Sequence, residues 1–416
     1  MRLDLTPSID RYAELIVKIA LNVQPGQRLL VGSPRRYVPL ECAPFVRMLA
    51  RHAYQVGAAY VEVLWGDDGL TRTRLEYARR DSFGQGSPWR GQVALEYAQN
   101  GDALVSISAE DPDLLKGQDP ALVSQMQHAT LQISKAFADH NASQPLNGTV
   151  VSVPTPGWAA KVFPNLPPEQ QQERLWQAIL AACRVDAPDP VAAWQTHIRQ
   201  IRERGVYLTA KQYTAMHFRG PGTDLSVGLP AGHAWVGGQA ASHSGIQHVP
   251  NFPTEEIFSL PHRERVEGHV TTTKPFVHAG RAIEKFTLSF SAGRVVKISA
   301  DQGEETLRHL IETDEGAARL GEVALVAHSS PISQSGILFY NTLFDENAAD
   351  HIALGRAYKQ CLQGGPQMND EAFNAAGGNL SLTHNDFMIG SAEIDVDGVL
   401  ADGRRQPVMR QGEWAF

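Results

Sequence analysis

The stretch SLTHNDFMIG, residues 381–390, decides what kind of second half this chain has. Read as a strand, its side chains alternate between two faces. Leu382, His384, Asp386 and Met388 then share one face, and Thr383, Asn385, Phe387 and Ile389 the other. Apolar residues on both faces mark a buried strand. An imidazole and a carboxylate on one face of such a strand need a reason, because a buried carboxylate is costly without a cation or donors beside it. An isolated H-x-D pair is more often a satisfied core histidine next to a structural aspartate. The alternative is a pair of metal ligands aimed at one point.

The sequence around this stretch is rich in short strands. YTAMHFRG, TDLSVGLP, VEGHVTTTK, EKFTLSFSAG, RVVKISA and EVALVA are separated by turn residues, the pattern of a mainly antiparallel sheet. Helical stretches interrupt it near 303–318 and 347–361. The first half differs. QRLLVG, AAYVEVLW (58–65), DALVSISA (102–109) and GTVVSVPTP (148–156) alternate with helical segments, and two further helices are expected at 168–184 and 189–204. Strands alternating with helices indicate a mostly parallel sheet covered on both faces. The chain therefore reads as an α/β N-terminal domain with a mostly parallel sheet (1–205) and an α+β C-terminal domain with a mainly antiparallel sheet (206–416). With 416 residues, two or three domains are the prior at about 150 residues each.

Composition narrows the function. A net charge of -8, with no basic run, argues against nucleic acid as a partner. No stretch is apolar for long enough to span a bilayer. Asp4, Asp10 and Glu14 fall where a signal peptide needs an apolar run, so the N-terminus reads as mature sequence. Cys42, Cys183 and Cys361 are far apart and odd in number, which fits reduced thiols in the cytoplasm and excludes a cysteine zinc cluster. P-loop, G-x-G-x-x-G, G-x-S-x-G and H-E-x-x-H patterns are absent. Of 15 histidines only four precede residue 205, so acid-base or metal chemistry belongs to the second half.

Four further segments there carry candidates. In FDENAADHIALGRAYKQCLQGG, read as a helix starting near Asp345 or Asn347 and stopping at Gly364–Gly365–Pro366, His351 and Tyr358 lie almost two turns apart on one face. Taken alone they are a solvated histidine and an amphipathic core tyrosine. LGEVALVAH opens an apolar strand with Glu322, alone a solvated strand end. VPNFPTEEIFSLP holds Glu255 and Glu256, which point apart in a strand or a helix, so only one joins any given site; alone they suit a first helical turn capped by Thr254. Arg219, in HFRGPGTDL, is a weaker substrate-binding candidate. Together the set offers carboxylates, two imidazoles and a phenol, a mixture that zinc, manganese and cobalt accept. Three carboxylates against two divalent ions would leave a net positive site, able to lower the pKa of a water.

HFRGPGTDLSVGLP, PNFPTEEIF, ETDEGAARLGEVALV, LFYNTLFDENAADHIALGRAY and LTHNDFMIGS, with VPTPGWAAKVFPNLP in the first half, resemble the thermophilic-aminopeptidase family of metallopeptidases, of the aminopeptidase T, aminopeptidase S and PepS type. The resemblance covers essentially the whole chain. It implies two divalent metal ions per chain (Zn, Co, Mn or Mg) held by Glu256, Glu322, His351, His384 and Asp386, with Tyr358 close by. It selects Glu256 over Glu255, which the residues alone leave open.

The implied activity is release of N-terminal residues from short peptides by a metal-activated water. Glu322 is expected to bridge the ions, Tyr358 to stabilise the oxyanion or shuttle a proton, and Glu255 to hold the substrate ammonium or act as general base. The resemblance also implies a homodimer that encloses its sites. The alternatives are another two-metal amidohydrolase or phosphoesterase, and a non-enzymatic binding protein with a structural metal. Five ligands exceed the four of a closed structural site, and basic residues that would hold a phosphate are scarce.

Overall fold

The computed structural model describes residues 4–278 and 281–416; the first three residues of the N-terminal reading lie outside that range. By contacts the chain divides into two compact units. One comprises Met1–His197, Gln239–Thr254 and Leu338–Leu343, the other Ile198–Gly238, Glu255–Ile337 and Phe344–Phe416. Where the sequence suggests a single crossing near 205, the chain thus passes between the units several times.

The first unit is built on four strands, β1 (Arg28–Val31), β2 (Tyr60–Val63), β3 (Ala103–Ser108) and β4 (Gly148–Ser152), all parallel in the order β2-β1-β3-β4. Every residue of β3 is buried, as expected where helices cover both faces. The two later segments belong here for a physical reason. Val150 N donates to Pro250 O and Phe252 N to Val150 O, while the Phe252 ring lies 4.2 Å from Trp194 and 6.1 Å from Tyr12. The indole of the fully buried Trp158 donates to Phe339 O at 2.6 Å.

The second unit contains two antiparallel sheets. In chain order its strands are β5 (Ala215–Gly220), β6 (Thr223–Gly228), β7 (Ile257–Ser259), β8 (Val266–Thr271), β9 (Phe276–His278), β10 (Arg281–Ser291), β11 (Arg294–Gln302), β12 (Leu320–Leu325), β13 (His351–Gly355), β14 (His384–Met388), β15 (Asp395–Val399), β16 (Arg405–Arg410) and β17 (Glu413–Trp414). Among the described residues the larger sheet runs β9-β10-β8-β6-β5-β15-β16-β17, with β11 on β10, and the smaller runs β7-β12-β13-β14. One face of the smaller sheet enters a core with the larger one. Val323, Leu325, Ile352, Leu354 and Phe387 meet Phe218, Leu225, Val227, Phe286 and Val396 there. Phe387 stands edge-on to Phe276 and Phe286, with centroids 4.8 and 5.0 Å away.

The expected helix over 347–361 is not formed. Helical geometry at its start is limited to Thr342–Asp345 and a 3-10 turn at Glu346–Ala348, after which Ala349 is extended (φ -165°, ψ 165°) and β13 begins. Alternation in His351-Ile352-Ala353-Leu354 is too short to overrule the helical composition around it. Tertiary context decides instead, because β12 and β14 on either side satisfy its backbone groups and its apolar residues fill the core. The helical-face argument joining His351 to Tyr358 therefore falls. Tyr358 follows the strand and caps a 3-10 turn, Lys359–Cys361.

Gly355 closes β13 at φ +113°, and a Cβ there would lie 2.1 Å from Thr383 O. Gly355→Ala is expected to cost about 2–4 kcal/mol of stability, read as a lowered thermal midpoint. An unchanged midpoint would show that this end of the sheet can relax.

Candidate metal centre

Residues directly opposite in an antiparallel pair share a face. The register pairs Phe258 with Ala324, Ala324 with His351 and Glu322 with Ala353. It continues with His351 opposite Met388, Ala353 opposite Asp386 and Gly355 opposite His384. The face turned away from the core therefore carries Glu322, His351, His384 and Asp386, and Glu256 comes just before β7, in step with Phe258. Period-two alternation explains how one sheet buries aliphatic residues on one side and gathers acids and imidazoles on the other.

The side chains converge on two overlapping groups, Glu256–Glu322–His351 and Glu322–His384–Asp386, within each of which the donor atoms lie inside 4.8 Å of one another. His351 Nε2 is 3.1 Å from Glu256 Oε2 and 3.5 Å from Glu322 Oε1. His384 Nε2 is 3.4 Å from Glu322 Oε2 and 3.3 Å from Asp386 Oδ1. Glu322 thus turns one oxygen to each histidine. Glu256, Glu322 and His351 are buried, whereas His384 and Asp386 are half-buried on the open side.

The histidine hydrogen bonds test whether this set suits a cation. His351 Nδ1 bonds Ala349 O at 3.1 Å and His384 Nδ1 bonds Arg356 O at 2.7 Å. A carbonyl only accepts, so each Nδ1 carries the hydrogen, and in the neutral ring Nε2 is left with a lone pair facing carboxylate oxygens. Such an arrangement is stable only with a proton or a metal ion between the acceptors, and an Nδ1–H held by a carbonyl is how metal-bound histidines are oriented. The residues fit a divalent ion.

Electrostatics without an ion give the same picture. Burial disfavours a charged His351, but hydrogen bonds to Glu256 and Glu322 raise its pKa well above the usual value. Burial opposes charge on His384 as well, yet Asp386 and Glu322 lift it to about 11. Burial raises Glu256 against the pull of His351, and Asp386 is lowered because His384 and His351 outweigh its desolvation. The rings take up protons because the acids need positive charge.

Glu346, missed in the sequence, belongs to this neighbourhood. Burial, then the charges of Glu256 and Asp386, push its carboxyl well above the usual range, and Glu322 acts in the same sense. It lies on a 3-10 turn just before the strand that bears His351, a signal that the local sequence does not carry. Glu346 is therefore a fourth carboxyl within electrostatic reach of the cluster, although it is in neither ligand group.

Tyr358 lies beside the cluster. Its ring centroid is 4.9 Å from that of His384, and burial followed by the charges of Glu322, Asp386, Glu346 and Glu256 raises its pKa, keeping the phenol protonated. It is 40% exposed, so the ring remains accessible. Glu255 is in neither ligand group. Its backbone N–H donates to Asn347 Oδ1 at 2.7 Å, and its charge supports that of Arg204. Arg219, on β5, donates to the buried Asp397 at 2.9 Å.

These features describe a candidate metal centre on one face of a small antiparallel sheet. The family model for thermophilic metalloproteases (M29) matches residues 5–414, and the chain belongs to that family. Aminopeptidase 2 of Geobacillus stearothermophilus is 46% identical over 413 residues, covering 98% of both chains. Aminopeptidase T of Thermus thermophilus is 44% identical over 407 residues, again 98% of both. The solved structure of wild-type AmpT from Thermus thermophilus superposes with a TM-score of 0.93 at 43% identity, covering 99% of this chain and 100% of that one. A dioxygenase from Pseudomonas putida, at 12% identity and a TM-score of 0.51 over 98% of this chain and 96% of its own, shares the fold alone.

Ala353 lies between Glu322 and Asp386 in the register, so its methyl floors the space between the two groups. Ala353→Leu is expected to stay folded, at a packing cost of about 1–3 kcal/mol, while metal affinity falls about 10–100-fold. Titration with a metal-competing chelator measures this, and unchanged affinity would move the ions away from this floor.

Proposed function

We propose that this chain is a metal-dependent aminopeptidase that releases N-terminal amino acids from short peptides, with Glu256, Glu322, His351, His384 and Asp386 holding two divalent ions. The observation that carries this reading is Glu322, placed with one oxygen toward each histidine, in a chain of a metalloprotease family whose relatives are named aminopeptidases. Glu346 is proposed as a further carboxylate of the set. Divalent ions held there would supply Lewis-acid polarisation of the scissile carbonyl and would lower the pKa of a water. Zinc, cobalt, manganese and magnesium all suit oxygen and imidazole donors to some degree, with zinc and cobalt favoured by the two histidines.

The protein's own part is to orient and to donate. His351 and His384 are locked by their Nδ1–H bonds, so no reorganisation is needed at the moment of reaction. Tyr358 Oη donates a hydrogen bond to the carbonyl oxygen as charge develops on it. Glu255 is proposed as ammonium anchor or general base, and its backbone N–H, bonded to Asn347 Oδ1, fixes the approach to β7. A cytoplasmic location is supported by three buried cysteines that form no disulfide; among the described residues no helix is long and apolar enough to cross a membrane. A homodimer is proposed on the family resemblance.

Chelated protein should be inert and regain activity with added divalent ions. Peptides with a free N-terminus should be cleaved while acetylated ones resist, and equal rates on both would indicate an endopeptidase or a general amidase. Tyr358→Phe should keep fold and metals while kcat falls about 10²–10³-fold and KM changes little. A metal-replete variant with full turnover would leave Tyr358 only a packing role.

A further inference from the structure

We infer that Phe258, with the ring of Tyr358, forms the wall that receives the substrate's N-terminal side chain, so that the enzyme selects peptides beginning with an apolar residue. The inference rests on the aminopeptidase reading and names the substrate class of that site.

Placement comes first. Phe258 is opposite Ala324, which is opposite His351, so its side chain rises from the same sheet face as the candidate ligands, two residues after Glu256. On the β12 side, the strand that carries Glu322, the residue opposite Phe258 is Ala324; on its other side Phe258 pairs with Val236. The Phe258 and Tyr358 rings meet edge to face, with centroids 5.9 Å apart and planes at 65°, and Tyr358 in turn abuts His384. Phe258 is half-buried. The pair is therefore an aromatic surface continuous with the ligand cluster.

Substrate chemistry uses that surface. An aminopeptidase must bring the carbonyl carbon of the first residue to the ions, and the side chain of that residue is attached one bond further on. It has to rest within a few ångströms of the ligands. Charged groups there are the carboxylates and imidazoles; the rings of Phe258 and Tyr358 lie beside them, and the buried Met388 lies opposite His351. An aliphatic or aromatic side chain laid against Phe258 is removed from water, whereas a methyl reaches little of the ring.

Phe258 also packs against a satellite core that includes Leu260, Ala357, Leu362 and Phe373, so substitution could act through structure alone. Selectivity between substrates separates the two roles. In the metal-loaded enzyme, Phe258→Ala is expected to lower kcat/KM for phenylalanyl and leucyl anilides at least about tenfold, mainly through KM, and to change alanyl anilide by less than about twofold. Phe258→Trp, which retains the core contact but fills the wall, is expected to reverse the preference toward alanyl anilide. Equal losses on all substrates, or unchanged ratios in both variants, would overturn the inference while leaving the aminopeptidase assignment intact. A wild-type holoenzyme that cleaves no free-amine anilide would overturn the assignment itself.

Discussion

Glu322 is the residue on which the site depends. It is almost fully buried, and each of its oxygens faces a different imidazole. A carboxylate in that position is tolerable only where positive charge is supplied. Three more carboxylates share its surroundings, and the two histidines cannot supply the charge as neutral rings because their Nδ1 hydrogens are committed to backbone carbonyls. The demand for cations is therefore built into the backbone path as much as into the side chains. A chain that runs Ala349 and Arg356 past the two rings has already chosen which nitrogen faces inward.

The small sheet makes this affordable by strict division of its faces. Ile352, Leu354 and Phe387 alternate with His351, Ala353 and Asp386, so the residues that stabilise the fold and those that form the site occupy the same strands. A slip of one residue would exchange the two sets. Asp350 helps to fix the register. Its buried carboxyl accepts from Val326 N at 2.8 Å, its carbonyl accepts from Ile389 and Gly390, and burial lifts its pKa to about 7. Ends of β12, β13 and β14 are tied together at that one residue. The alanines at 324 and 353 leave open the volume that larger side chains would close.

Much of the architecture was legible in order. The four parallel strands of the first half and β5, β6, β8, β10, β11, β12 and β14 of the second fall where their alternation and turn residues put them, because those runs are bounded by turn residues and are rich in β-branched residues; β13, expected as a helix, and the closing strands β15–β17 do not follow from local pattern. The five ligand candidates were legible only as types. His384 and Asp386 were tied to each other by period-two spacing, but Glu256 and Glu322 looked like ordinary chain-end acids until the family resemblance joined them. His351 stands on a strand, where the composition around it points to a helical face. Glu346 was missed because an acid at an apparent helix start has a sufficient local explanation.

The sequence by itself determined composition, alternation and the identity of the chemistry: imidazoles and acids concentrated in the second half, with apolar residues interleaved at a spacing of two. These are local properties, set by side-chain type and by backbone periodicity over a few residues. Tertiary structure alone decided that 351–355 is a strand, since its backbone groups are satisfied by strands about thirty residues away on either side. It also decided that Glu346 lies among the other carboxylates, and that Phe258 stands on the face of the site with its ring against Tyr358. Each of these depends on which strands become neighbours and in what register. That choice is made by the shared core beneath the sheet, which no single segment encodes.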